Sequence, residues 1–139
     1  MIYIADTNLI VRFLTNDDEV QSAVAKEIMK RVDNNIITLH IPDIVIMETC
    51  WVLKSIYGYN NNLISETLLK LIECEGIYTE SNIIGNALEL FGDKKVDLAD
   101  ALISLKSINQ NMPVITWNTK DFKKLSCEFY KPEELIREK

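Results

Sequence analysis

The sequence predicts an α/β protein with a mostly parallel sheet of four to five strands flanked by helices. Short apolar runs alternate with longer segments in which apolar side chains recur at helical spacing. This alternation is typical of strands joined by helical crossovers, which produce parallel sheets. The chain has 139 residues, 47% of them hydrophobic and 26% charged, so we expect one domain spanning residues 1–139.

Residues 2–5 form a continuous apolar run, the pattern of a strand buried in a parallel sheet. Further strands are predicted over residues 36–41, 76–79 and 113–116. Each helix is predicted from apolar positions three or four residues apart, with polar capping residues before it or Asn or Gly after it. In order, the helices cover approximately residues 9–14, 17–33, 42–57, 63–73, 82–91 and 97–109. Residues 92–95 are predicted to form a turn, and the segment after residue 121 is short and mixed.

Composition and charge exclude several classes of protein. Four Gly and three Pro exclude a collagen-like chain. Asp6 and Arg12 closely follow the apolar start, so we expect no signal peptide. Asp43 and Glu48 interrupt the best candidate for a membrane helix, residues 41–53, so we expect no membrane-spanning helix. The cysteines, expected to be reduced thiols, indicate a cytoplasmic protein.

The cysteines and the histidine do not suggest a zinc site. The three cysteines form no Cys-x-x-Cys pair, and we expect all of them to be buried, reduced thiols. His40 falls in a predicted strand, where a packed side chain is the simpler interpretation. The cysteines are Cys50, Cys74 and Cys127.

Acidic residues stand where parallel strands end, which is where ligands bind in such folds. Asp6 directly follows the first predicted strand, and an N-cap is the alternative role for it. Glu48 has Ile44, Val45 and Trp51 as helical neighbours, so it is predicted on an apolar stripe that faces the sheet. A buried carboxylate there would need a partner, which favours a functional role over a helix-end glutamate.

Two further segments carry polar side chains towards the same edge. Asp97 and Asp100 lie three residues apart at a helix start, where Asp97 is expected to cap the helix and where the dipole favours anions. Asp100 is either part of a capping box or a functional acid. Residues 116–122 follow the last predicted strand and include Asn118 and Asp121, with a plain polar loop as the alternative.

These acids together predict a metal site. If three or four carboxylates converge within about 5 Å, each pair repels by about 3 kcal/mol at an effective dielectric near 20. A divalent cation would relieve that repulsion, and oxygen ligands without His or Cys indicate Mg²⁺ or Mn²⁺. Such an ion, held with water, is suited to hydrolysing a phosphodiester.

The chain resembles the PIN-domain family and, within it, the VapC-type toxin ribonucleases. The resemblance rests on residues 4–14 (IADTNLIVRFL), on Glu48 with residues 51–53, on residues 96–103 (VDLADALI) and on residues 114–122. It covers nearly the whole chain. It implies a Rossmann-like three-layer sandwich, Mg²⁺-dependent endoribonuclease activity, a homodimer and a cognate antitoxin that blocks the site.

The resemblance also implies roles for individual residues. Asp6 and Asp100 would bind Mg²⁺ directly, and Glu48 would bind the metal or orient the attacking water. Many relatives have Asp where this chain has Asn118, and Asp121 is the candidate for that fourth acidic place. The supporting residues would be Thr7 and Asn8, which hold Asp6, together with Asp97, Thr116 and Asn118.

The net charge of −6 is unusual for a nucleic-acid-binding protein. Without the four proposed acids the remainder is near −2, since −6 + 4 = −2. We expect a small or looped RNA substrate, with Trp117 either stacking a base or, more simply, buried. The candidate RNA-binding residues are Arg12, Lys120, Lys123 and Lys124.

Three other functions are consistent with parts of the sequence. A phosphatase of the haloacid-dehalogenase type also has Asp after its first strand but needs a second Asp where this chain has Asn8. A receiver-like signalling domain would need a phosphate acceptor such as Asp43, which is better explained as a helix cap. A PIN domain that binds RNA without cleaving it is suggested by Asn118.

Overall fold

The computed structural model describes residues 1–137 and confirms the predicted α/β class, with parallel strands flanked by helices. The strands in this range are β1 (Ile2–Ile4), β2 (Thr38–Ile41), β3 (Ile77–Thr79), β4 (Val114–Ile115) and β5 (Phe129–Tyr130). The helices are α1 (Thr7–Thr15), α2 (Glu19–Asp33), α3 (Asp43–Ser55), α4 (Asn61–Ile72), α5 (Ile84–Lys94), α6 (Leu98–Gln110), α7 (Thr119–Phe122) and α8 (Pro132–Arg137).

The five strands form two small parallel sheets instead of one. The first has the order β1-β2-β3, with Tyr3 opposite Leu39 and His40 opposite Tyr78. The second pairs β4 with β5, a strand of two residues that the sequence pattern did not predict. The amide of Ala5 donates to the carbonyl of His40 at 2.9 Å, which extends the β1–β2 pairing to the point where the chain turns into α1.

The prediction that residues 2–5 form a buried strand is wrong for β1 itself. Ile2, Tyr3 and Ile4 are exposed, with Ile4 at 72% of its full accessibility, and only Ala5 is buried. Three consecutive side chains are exposed, so neither face of this edge strand is covered, whereas Ile77 on the opposite edge strand, β3, is buried. The core consists mainly of helix side chains, and its largest fully buried members include Ile10, Ile46, Leu53, Leu68, Leu88, Phe91 and Phe122.

Gly92 continues α5 where the sequence predicted a turn at residues 92–95. A Cβ atom on Gly92 would lie 2.9 Å from both Cβ and Oγ of Ser65 on α4. The Ser65 hydroxyl donates to the carbonyl of Leu88 at 2.8 Å, which ties the two helices at the same level. Gly92 therefore allows a close approach of α4 and α5, and α5 ends two residues later at Lys94.

The end of one helix and the burial of one cysteine also differ from the sequence prediction. Helix α3 ends at Ser55, before Gly58, because the Ile56 and Tyr57 amides both donate to the Val52 carbonyl as the helix closes. Cys50 and Cys127 are buried as expected, whereas Cys74 is exposed just beyond the end of α4. Within residues 1–137, no helix is both long and apolar enough to cross a membrane.

Candidate active site

Asp6 lies between β1 and α1 and is the N-cap of α1. Its backbone is extended, with φ −89° and ψ 162°, and its Oδ1 accepts a hydrogen bond from the Thr7 amide at 2.8 Å. The side chain is exposed, so its other oxygen faces solvent. Asp6 therefore has the predicted capping role and still presents a carboxylate at the end of the strand.

Thr7 joins Glu48 to this position across 41 residues of sequence. Thr7 is 6% exposed, and its hydroxyl donates a hydrogen bond to Oε1 of Glu48. Because Thr7 follows Asp6 directly, the bond brings helix α3 to the same end of the sheet. Sequence reasoning assigned Thr7 to holding Asp6 and did not anticipate this contact.

The predicted burial of Glu48 is wrong. Glu48 is exposed, and so are two of the neighbours that defined its stripe, Ile44 at 72% and Trp51 at 62%. The buried face of α3 is one position further around the helix and consists of Val45, Ile46, Thr49, Cys50 and Leu53. Glu48 therefore avoids the desolvation cost that its predicted position would have carried.

Asn118 connects two acids on the other side of the candidate site. Its Nδ2 donates to Oδ2 of Asp100 at 3.0 Å and to Oδ2 of Asp121 at 3.1 Å. The backbone N–H of Asn118 donates to Oγ1 of Thr116 at 2.9 Å, within the turn that follows β4. The contact between Asn118 and Asp121 was not predicted, although their spacing of three residues could have indicated it.

The charges of neighbouring acids act on the carboxyl group of Asp100. Partial burial raises the pKa of the Asp100 carboxyl, and the nearby Asp97 and Asp121 raise it further. The hydrogen bond from Asn118 acts in the opposite direction. Two neighbouring carboxylates therefore act on Asp100, and one of them, Asp121, shares with it the hydrogen-bond donor of Asn118.

Asp97 occupies the N-cap position of α6 but does not cap the helix with its side chain. Its backbone is extended, with φ −66° and ψ 146°, and no hydrogen bond from the helix start reaches the carboxylate. The predicted side-chain cap is therefore wrong. The Asp97 carboxylate is instead exposed beside Asp100 and acts on it through its charge.

Helix α3 links the two halves of the candidate site. It packs against α1, which begins beside Asp6, and against α6, which carries Asp100. Asp6 follows β1 and Asn118 follows β4, so both halves lie beyond the carboxyl ends of parallel strands. The described structure thus supports two clusters, one of Asp6, Thr7 and Glu48 and one of Asp100, Asn118 and Asp121.

The predicted basic residues differ in how far they are already engaged. Arg12 pairs with Asp17 at 3.1 Å and also donates to Gln21 at 2.8 Å. Lys124 lies 3.8 Å from Asp121. The side chains of Lys120 and Lys123 are exposed.

Trp117 is not the buried side chain that the sequence favoured. It is 72% exposed, and its Nε1 donates to Oε1 of Glu133 at 2.5 Å. The chain turns sharply after β4 and leaves the indole on the surface. The alternative, a ring available for stacking, is therefore the one consistent with its position.

The donor set suits Mg²⁺ in its chemistry. Among residues 1–137, no group of three or more His, Cys, Asp or Glu side chains is arranged to hold an ion by itself. Mg²⁺ is commonly bound by one or two carboxylates, with water and substrate phosphate completing its shell. The carboxylates around Asp100, whose charges raise the pKa of its carboxyl, provide negative charge for such binding, and oxygen donors favour Mg²⁺ over softer metals.

Comparison with family models identifies the family of the chain. The family model described as PIN domain matches residues 3–126, which extend from β1 to beyond α7 and include all the candidate site residues. No curated protein matches the chain.

Proposed function

The chain belongs to the PIN domain family, a family of nucleases, and we propose that it is a Mg²⁺- or Mn²⁺-dependent endoribonuclease. In this proposal Asp6, Glu48, Asp100 and Asp121 are the catalytic acids, and water hydrolyses an RNA phosphodiester bond. The observation that supports it most strongly is the pair of carboxylate clusters beyond the carboxyl ends of β1 and β4.

The acidic side chains have different roles in the proposed mechanism. Asp6 and Asp100 would hold the divalent ion, and such an ion would supply a lowered pKa of bound water and a positive charge for the phosphate. Glu48 accepts a proton from the attacking water through Oε2, because the Thr7 hydroxyl already occupies Oε1. Thr7 is thus a positioning residue, and its bond fixes the direction in which Glu48 presents its second oxygen.

Asn118 and Asp121 complete the second cluster. The side-chain amide of Asn118 donates to one oxygen of Asp100 and one of Asp121, which leaves the second oxygen of Asp100 for an ion or for water. The second oxygen of Asp121 lies 3.8 Å from Nζ of Lys124. Thr116 fixes the turn that places Asn118. Lys120, Lys123 and Lys124, with Arg12 in a lesser part, would attract the RNA backbone.

A second candidate function is favoured by the same amide. Asn118 places a neutral hydrogen-bond donor between two acids, where relatives have a fourth carboxylate, and this arrangement satisfies Asp100 and Asp121 without a cation. The candidate is a PIN domain that binds RNA and does not cleave it. A receiver-like role is disfavoured, because Oδ1 of Asp43 accepts from the Ser81 amide at 3.3 Å and the Asp43 amide donates to Glu80 at 2.9 Å.

The biological setting forms part of the proposal. We propose that the enzyme is the toxin of a type II toxin–antitoxin pair, acts in the cytoplasm as a homodimer and is inhibited by a cognate antitoxin. The family supports the nuclease activity, and the free thiols of Cys50, Cys74 and Cys127 agree with a reducing compartment. Co-expression with the product of an adjacent small open reading frame would test the pairing by relief of growth inhibition.

The function is tested by incubating the purified chain with a panel of tRNAs and structured RNAs. Cleavage should require Mg²⁺, disappear in EDTA and disappear in the Asp6→Asn/Asp100→Asn double variant. The matched control is Asp33→Asn/Asp93→Asn, which removes the same charge from exposed positions on α2 and α5 and should cleave normally. Cleavage by the active-site variant would refute the assigned site, and Mg²⁺ binding without cleavage of any RNA would favour the non-cleaving alternative.

A further inference from the structure

We propose that a trough between α3, the start of α4 and the end of α5 binds the single-stranded RNA that flanks the scissile phosphate. The trough consists of two adjoining hollows that share the side chain of Lys54. This inference rests on the proposed function, since it names the path by which the substrate reaches the acids. It concerns residues outside both carboxylate clusters.

The first hollow opens beside the candidate site. It has a volume of about 490 Å³ and extends from Asp97, next to Asp100, to Trp51 and Lys54 on α3. The second hollow, of about 510 Å³, continues from Lys54 to Asn60–Asn62 and Lys95. A strand bound along both hollows would therefore lead away from the acids over the surface of the protein.

The charge of the trough is opposite to that of the chain. Its charged lining residues are Lys54, Lys95 and, at the end next to the site, Asp97. Neither lysine forms an ion pair within residues 1–137, in contrast to Arg12 and Lys124. The only acid stands where the catalytic acids begin, so the rest of the trough favours phosphate on a protein whose net charge is −6.

Lys54 and Lys95 each occupy a defined position along the trough. The Nζ atom of Lys54 lies 5.7 Å from the centroid of the buried Phe91 ring, which fixes the ammonium group where the hollows meet. Lys95 has a left-handed backbone, with φ 54°, at the end of α5. The other non-glycine residues with positive φ in the described range are all Asn, which adopts this conformation more easily than Lys.

Trp51 provides the contact that distinguishes a single strand from a duplex. Its ring is 62% exposed on the wall of the first hollow, between the candidate site and Lys54. An aromatic face of this kind stacks on an unpaired base, whereas the bases of a duplex are stacked on one another. Alternating stacking and phosphate contacts along one groove is the usual means of binding single strands.

The first test measures binding of a fluorescein-labelled single-stranded RNA of twelve nucleotides in EDTA, by anisotropy at several KCl concentrations. Each phosphate contact contributes about 0.7 to the slope of log K against log salt. Lys54→Gln/Lys95→Gln should therefore lower the slope by about 1.4, and Lys95→Gln alone by about 0.7. The matched control, Lys30→Gln/Lys70→Gln, makes the same change in net charge outside the trough and should leave the slope unchanged.

The second test follows Trp51 directly, because the chain has two tryptophans. In Trp117→Phe, Trp51 is the only source of indole emission, and saturating RNA should quench it. Trp51→Leu should weaken binding by about 5- to 150-fold, the range that stacking of one base supports. Unchanged Trp51 emission at saturation would overturn the stacking contact.

The outcomes separate this inference from the proposed function. If Lys54→Gln/Lys95→Gln binds and cleaves RNA as the wild type does, while Asp6→Asn/Asp100→Asn is inactive, RNA does not bind in the trough and the proposed nuclease activity is supported. If no RNA is cleaved but Lys54→Gln/Lys95→Gln lowers the slope of log K against log salt by the predicted amount, the proposed nuclease activity is wrong and RNA binding in the trough is supported. Equal binding of duplex RNA or of an acidic peptide, or no binding of single-stranded RNA by the wild type, would overturn the trough as proposed.

Discussion

Replacing Asn118 with Asp would convert the shared amide of the second cluster into a third negative charge. The wild-type amide donates to Asp100 at 3.0 Å and to Asp121 at 3.1 Å. Asn118→Asp loses both hydrogen bonds and places like charges about 3 Å apart, which repel by about 1.4 kcal/mol per pair even at the dielectric constant of water. Because the site is partly exposed, the new side chain will turn outward and recover part of this energy.

We therefore expect Asn118→Asp to lower the free energy of unfolding in EDTA by about 2 kcal/mol. For a chain of this length that loss corresponds to a fall in Tm of about 8 °C. In Mg²⁺ at a hundred times its Kd, binding restores about 2.7 kcal/mol, so the variant should recover the Tm of the metal-free wild type. The assay is thermal unfolding by circular dichroism with EDTA and with Mg²⁺.

Asn82→Asp is the matched control, since it adds the same charge at an exposed position outside both clusters. Its Tm should change little in EDTA and should not respond to Mg²⁺ more than that of the wild type. If Asn118→Asp unfolds at the wild-type temperature in EDTA, the amide does not connect the two acids. If Mg²⁺ fails to restore its Tm, these acids do not share a cation.

Three further predictions test other parts of the structure. Thr7→Val removes the hydroxyl that donates to Glu48 and should slow single-turnover cleavage by about 10- to 100-fold, with little change in Tm. An unchanged rate would exclude Thr7 as a positioning residue. Gly92→Ala places a methyl group 2.9 Å from Ser65 and should cost about 1–3 kcal/mol in urea unfolding, a loss that wild-type stability would contradict. Because the pKa of Asp100 is raised in the folded protein, the folded protein loses stability as pH rises from the ordinary carboxyl value through the folded pKa. Asp100→Asn should therefore raise Tm at pH 7 in EDTA but not below pH 3. An equal change in Tm at both pH values would contradict the shift.

The sequence predicts most of the secondary structure because its signals are local. Apolar runs and capping residues identified four of the five described strands and the longer helices. Strand β5 was not predicted because its two residues stand between Glu128 and Lys131 and not within a longer apolar run. The turn predicted at Gly92 was wrong because the role of this glycine depends on Ser65, 27 positions earlier in the sequence. These features are set by packing between elements, which local patterns do not contain.

The acidic residues of the candidate site could be proposed from the sequence, whereas the hydrogen bonds of their side chains could not. Asp6 and Asp100 follow from their positions at a strand end and a helix start. The exposure of Glu48 depends on how α3 turns against its neighbours, which the stripe of Ile44 and Trp51 wrongly indicated. The bond from Thr7 to Glu48 spans 41 residues, and only the fold brings the two side chains together.

The most direct test of the account replaces a proposed metal ligand with a sulfur ligand. Asp100→Cys should be inactive on RNA in Mg²⁺, which binds thiolate poorly, and should regain cleavage in Mn²⁺ or Cd²⁺, which accept it. Asp100→Ala should remain inactive with every ion, and the wild type assayed in the same ions sets the reference rate. Rescue of the cysteine variant alone would place Asp100 on a catalytic metal. Full activity of Asp100→Cys in Mg²⁺, or equal activity of the alanine variant, would contradict the proposed site.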